Sequence, residues 1–172
     1  PESRLEDPRF FMKIFQLDDH VGTAVAGLIS DARVLIEQSR VYCQNNRLLY
    51  DEPVDLESLA KRIGDQAQVY TQHAGVRPYG VSMILAGIDT TGSRVFMVNP
   101  SGSYRGYKAV AVGRKNKVGN KLLEDEYNPE FTLDEAISLS VQAVKAASDE
   151  NVTAKIVKVA VIPADTKIFR KL

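Results

Sequence analysis

In 172 residues the chain has one cysteine, two histidines and no tryptophan. A lone thiol, Cys43, excludes an internal disulfide and any zinc site built from several cysteines. It lies inside a helical pattern among apolar residues, where a thiol is expected to be buried and inert. His20 falls in a hairpin turn and His73 at a helix end, so both read as solvated structural histidines rather than a catalytic pair. G-x-S-x-G, H-E-x-x-H, P-loop and G-x-G-x-x-G motifs are all missing. Asp18-Asp19 reads as a solvated turn pair rather than a metal site. No cofactor or metal is expected, and no catalytic residue can be placed.

A charge of one sign is missing too. Lysine plus arginine and aspartate plus glutamate number 22 each, so no net field draws the chain to nucleic acid or an anionic membrane, and neither is expected as a partner. Arg114 to Lys117 is basic but short, a solvated loop. No apolar run reaches the roughly 18 residues of a membrane span, and Pro1 to Arg4 begins no signal peptide. A reducing cytoplasm is the expected compartment. The composition is that of an ordinary globular chain, and the length suits one domain over residues 1–172.

What is present is a clear alternation of periodicities. Phe11 to Leu17 and Val21 to Leu28 are apolar-rich runs around Asp18-Asp19-His20, a β-hairpin whose second strand has the small residues Gly22, Ala24, Ala26 and Gly27, admitting another layer. Ser30 offers an N-cap, with Asp31 in the first turn, for a helix to about Leu49. Ala32, Leu35, Ile36, Ser39 and Cys43 form one stripe of it; Val34, Val41 and Leu48 form a second on roughly the opposite side, predicting a helix packed between two neighbours. Asp55 caps the next helix, whose face is Leu56, Leu59, Ala60, Ile63, Ala67 and Tyr70. Gly75 and Pro78 end it, and Val81 to Ile88 is a strand covered on both faces. Arg77 is expected to anchor this turn through a charge-assisted hydrogen bond.

Strands are predicted at Arg94 to Val98, Tyr104 to Val112, Lys155 to Ile162 and Lys167 to Arg170. A helix is predicted from Lys117 to Tyr127, and another after the capping box Thr132 to Glu135. Two helix pairs separated by antiparallel strands predict an α+β fold, a four-layer α-β-β-α sandwich.

The run Y-T-Q-H-A-G-V-R-P-Y-G-V, from Tyr70 to Val81, resembles the α-type subunit of the core proteasome, especially its archaeal form. The likeness continues through D-D-H-V-G-T-A-V-A-G-L-I-S-D-A-R-V-L-I, N-P-S-G-S-Y and Y-K-A-V-A-V-G, covering nearly the whole chain. That family has the α-β-β-α, N-terminal-nucleophile hydrolase architecture. Its members carry an N-terminal helix and two strands ahead of the matched part, so this chain reads as N-terminally incomplete and a ring built from it as open at the axis.

The resemblance implies a non-catalytic subunit of a threonine-type endopeptidase complex. Such subunits join other α subunits in a seven-membered ring, stack on β subunits, gate the passage of unfolded polypeptide and receive the C-terminal tails of an ATPase regulatory ring. Three assignments follow residue by residue. Lys13 matches the lysine that pairs with the tail's terminal carboxylate, a role suited to an ammonium with three donors; an ordinary solvated strand lysine is the alternative. Gly27 and Leu28 match the other wall of that pocket. His73, Ala74, Gly75 and Val76 match the turn lining the channel mouth, although the family more often has an aromatic and a second glycine at the first two positions. An enzymatic alternative is a β-type threonine peptidase whose catalytic N-terminal strand is missing; a free-standing binding module is a third.

Overall fold

A computed structural model describes residues 5–7, 12–149 and 151–172. Five antiparallel strands form the main sheet in chain order: β1 (Ile14–Asp18), β2 (Val21–Gly27), β3 (Val81–Asp89), β4 (Gly92–Val98) and β5 (Tyr104–Tyr107). The predicted first strand began at Phe11, which lies outside the described residues. Between β2 and β3 the chain makes α1 (Ile29–Tyr50) and α2 (Leu56–Gln72). After β5 come α3 (Asn116–Glu126), α4 (Leu133–Ala147) and a short pair, β6 (Ala160–Val161) with β7 (Arg170–Lys171).

One face of the sheet is sealed by α1 and α2. The inner stripe of α1, Ala32, Leu35, Ile36, Ser39 and Cys43, is buried as its spacing requires. Leu56, Leu59, Ala60, Ile63 and Ala67 of α2 join it. Alternate β3 residues Val81, Met83 and Leu85 meet both helices in this core. Each fully buried large side chain here, such as Leu56, Leu59 or Leu85, contributes about 1.5–3 kcal/mol relative to exposure. The second stripe of α1 is uncovered: Val34, Val41 and Leu48 are 44%, 54% and 84% exposed.

Among the described residues, the β6–β7 pair lies against part of the other sheet face. Phe169, just ahead of β7, lays its ring edge 2.6 Å from where a Gly22 side chain would begin, the close approach that the small residues of β2 permit. Beside it lies a cavity of about 430 Å³ lined by Ile14, Ala24, Ile84, Val95 and Val161. A separate small core joins α3 and α4 through Leu123, Leu139 and Ala143, with Ala109 and Ala111 against it.

The second sheet has two-residue strands among the described residues, shorter than predicted. Lys155 to Val159 is not strand because the Thr153 carbonyl accepts the Ile156 and Val157 amides, closing a turn. Likewise β5 stops at Tyr107 rather than Val112: the Asn120 amide side chain holds both polar groups of Ala111, at 2.7 and 3.0 Å, in place of a ladder. The start of α1 is another departure. Its N-cap is Leu28 and Ser30 is already helical.

Capping elsewhere follows the residues. Asp55 accepts the Ser58 amide at 2.9 Å, and Thr132 with Glu135 makes the reciprocal box.

His20 is the clear correction to the reading of the turns. It is 4% exposed, and its Nε2–H donates to the Val54 carbonyl at 2.7 Å. The connection between α1 and α2 folds over the hairpin and seals it, a contact between distant segments invisible in the hairpin's own sequence.

Candidate functional site: one end of the five-stranded sheet

Antiparallel pairing decides which of the singled-out residues meet. Lys13 immediately precedes β1, and its carbonyl accepts the Val25 amide of β2 at 2.9 Å. Two residues further on, β2 ends at Gly27, paired with Val81 at the start of β3. Lys13, Gly27, Leu28 and the approach to β3 thus lie at one end of the sheet. The same end receives the first turn of α1 and the last turn of α2, whose C-cap is His73. Lys13 is exposed, and Leu28 is 51% exposed.

Gly27 has φ 122°, and a side chain there would run into the Gly80 carbonyl; glycine is required both by the backbone angle and by the space. Leu28 donates its amide to that same Gly80 carbonyl at 2.9 Å, while its own carbonyl opens α1 by accepting from Ala32. The Leu28 N–H is spent on the β3 approach, which fixes the start of the helix there rather than at Ser30.

Asp31 organises the surroundings. Its carboxylate accepts Arg77 Nη1 at 2.6 Å, Arg77 Nη2 at 2.8 Å and the Gly80 amide at 2.8 Å. The bidentate guanidinium, followed by the Gly80 amide, holds the Asp31 carboxyl below the usual carboxylate range despite its burial. Arg77 therefore anchors the turn as its position predicted, with a partner 46 residues away. Asp31 was read from sequence only as a first-turn acid. An isolated Arg before proline facing a helix N-terminal acid is the one signal that could have paired them. Tyr79 adds a second anchor, packed edge-on against Tyr70 at 4.6 Å.

The turn itself is lightly held. His73, Ala74, Gly75 and Val76 are all exposed. Val76 donates to the His73 carbonyl at 3.4 Å, and Gly75 takes φ 82° with open space around it.

A cavity lies on the opposite sheet face. Its described lining includes Arg94 and Lys108 but no carboxylate or imidazole that could activate Thr23 or Ser93. Cys43 is fully buried, and that burial, with Asp18 nearby, pushes its thiol up to about 12. It is a thiol and not a thiolate at neutral pH. Among the described residues no group of three or more His, Cys, Asp or Glu could hold a metal ion, and no helix is long and apolar enough to cross a membrane.

A five-stranded antiparallel sheet with a helix pair on one face, a strand pair against the other and a second helix pair following is an α+β arrangement of the proteasome-like class. The sequence profile described as "Proteasome subunit" matches residues 2–162. The chain is 45% identical over 170 residues to the protein named proteasome subunit alpha from Methanopyrus kandleri, covering 99% of this chain and 68% of that one. To the proteins of the same name from Methanothermobacter thermautotrophicus and Methanocaldococcus jannaschii it is 43% and 45% identical, covering 69% and 65% of their lengths. The chain belongs to the proteasome subunit family, in its α-type branch as found in archaea.

Proposed function

We propose that this chain works as a single, non-catalytic domain in the end ring of a core proteasome, seven α-type subunits stacked on β subunits that perform peptide cleavage. Its open sheet end, in this reading, faces outward. Lys13 receives the terminal carboxylate of an ATPase-ring tail ending in hydrophobic-Tyr-any residue, and Gly27 with Leu28 forms the wall against which that tail lies. The turn His73 to Val76 lines the channel through which unfolded polypeptide passes. The uncovered stripe Val34, Val41 and Leu48 meets neighbouring subunits.

The observation that carries the reading is the gathering of Lys13, Gly27, Leu28 and the 73–80 segment at one exposed end. An exposed lysine and an exposed leucine at one end of the sheet offer a peptide tail charge pairing and apolar contact. The test is titration of the assembled ring with a tail peptide of that form, read by fluorescence anisotropy and by peptide hydrolysis in the complete particle. Lys13→Ala is expected to lose binding and stimulation together. A Lys13→Ala particle that still responds fully would overturn the assignment.

A further inference from the structure

We propose that His20 is a proton-operated clamp: a proton taken up at Nδ1 pairs the imidazole with Asp18 and tightens the junction of the β1–β2 hairpin, the end of α1 and the α1–α2 connection.

The two ring nitrogens meet different partners. Nε2 lies 2.7 Å from the Val54 carbonyl, which can only accept, so Nε2 carries a hydrogen. In a neutral imidazole Nδ1 is then a bare lone pair. It is buried without a hydrogen-bond partner, and an Asp18 oxygen stands 3.6 Å away. Lone pair and carboxylate repel, and a buried acceptor with no donor is costly. One proton at Nδ1 removes both faults. The imidazolium donates on both sides, and a closure of roughly 0.8 Å brings Asp18 to the length of a charge-assisted bond.

Both partners are fixed for this. Arg47 Nε donates to the two Asp18 oxygens at 3.1 and 2.9 Å, which holds the carboxylate in place. The His20 carbonyl accepts the Ile88 amide at 3.1 Å, which holds the ring's backbone. A change of charge on the imidazole is therefore felt by what it touches, the connection at Val54.

The other ionisable groups nearby are occupied or in water. Asp19 of the hairpin is 70% exposed, 3.9 Å from Arg47. Cys43 of α1 keeps its proton, its thiol pushed up to about 12 by burial. Asp89, next to Ile88 on β3, spends its oxygens on Leu56 and Thr91, and Arg94 of β4 lies 3.7 Å from Glu57. On the connection Asp51 and Glu52 are exposed, and Asp55 caps α2 through Ser58.

Histidine is the side chain whose charge ordinarily changes between about pH 5 and 8, a range in which Asp31 and Asp89, both lowered, keep theirs. The extra hold is present while the ring is charged and is lost as pH rises.

His20 and His73 are the two histidines of the chain, so long-range 1H–15N NMR of the full chain can read each ring nitrogen, with His73→Gln assigning the remaining signals to His20. At about pH 8 hydrogen is expected on Nε2 alone, and at about pH 5 on Nδ1 as well. Across the same interval the hydrogen-exchange protection factors of the Leu56 and Ile88 amides, bonded to Asp89 and to the His20 carbonyl, should rise about tenfold, the scale of one charge-assisted bond. Asp18→Asn sets an amide donor against Nδ1 in place of the charge, and should abolish that rise. An Nδ1 that stays bare at about pH 5, or that holds its proton throughout, overturns the clamp. So does a proton gained with no change in protection, or a rise that persists in Asp18→Asn.

Discussion

At one end of the five-stranded sheet, Asp89 accepts the Leu56 amide at 2.9 Å, the Thr91 amide at 2.8 Å and the Thr91 hydroxyl at 2.6 Å. At the other, Asp31 also accepts three donors, but two belong to the Arg77 side chain, 63% exposed. The first carboxylate joins backbone to backbone, starting α2 and closing the β3–β4 turn, while buried His20 ties in the α1–α2 connection beside it. The second joins a helix to a solvent-facing cation and leaves Leu28 and the 73–76 turn in the open. Similar use of aspartate gives a sealed end whose product is stability, and an accessible end whose product is a shaped surface.

Substitutions should separate the two ends, the largest effect falling on the sealed one. Asp89→Ala strands the Leu56 amide at the start of α2 and should lower the unfolding free energy by about 2–3 kcal/mol, measured by urea denaturation. His20→Leu removes the donor to the buried Val54 carbonyl and should cost about 1–2 kcal/mol. Asp31→Asn weakens a pair whose cation is largely in water, so about 1 kcal/mol or less is expected, with loosening confined to 73–80 in hydrogen exchange. Leu28→Ser should change stability by no more than about 0.5 kcal/mol while removing tail binding. An unfolding loss at Leu28 as large as that at Asp89 would erase the distinction.

Acid sharpens the comparison. Burial pushes the Asp89 carboxyl up, but the Thr91 hydroxyl, the Leu56 and Thr91 amides and the charge of Arg94 outweigh it, and the net shift is downward. Asp31 is lowered as well. A carboxylate whose folded pKa lies below its unfolded 3.8 contributes stability that is complete above that value. It is lost as pH falls through the folded one. The gap in unfolding free energy between the unsubstituted chain and Asp89→Ala should therefore hold steady above about pH 5 and narrow below about pH 4. A gap that widens on acidification would contradict the assignment.

How far the sequence led depended on distance along the chain. The inner stripe of α1, the Asp55 cap and the Thr132–Glu135 box rest on residues a few positions apart, and all stand where their spacing put them. Asp31 meets Arg77 and Gly80 across 46 and 49 residues, so its role could not be read locally. His20 was misread for the same reason, since its cover comes from Val54. The strands expected at 108–112 and 155–159 show a further limit: alternation survives there, but Asn120 and the Thr153 carbonyl took bonds that a ladder would need. For the candidate site, local pattern supplied the turn and the role of Arg77. The duties assigned to Lys13, Gly27 and Leu28 came from family resemblance, and folding shows only that these residues share an end.

The most direct test is electron microscopy of particles assembled from this chain and a β-type partner. The account predicts seven copies in each end ring, with Lys13 and Leu28 on the outer surface and His73 to Val76 around the axial opening. Rings in which the Leu28 end is pressed against the β layer, or a chain that stays monomeric beside its partner, would contradict it.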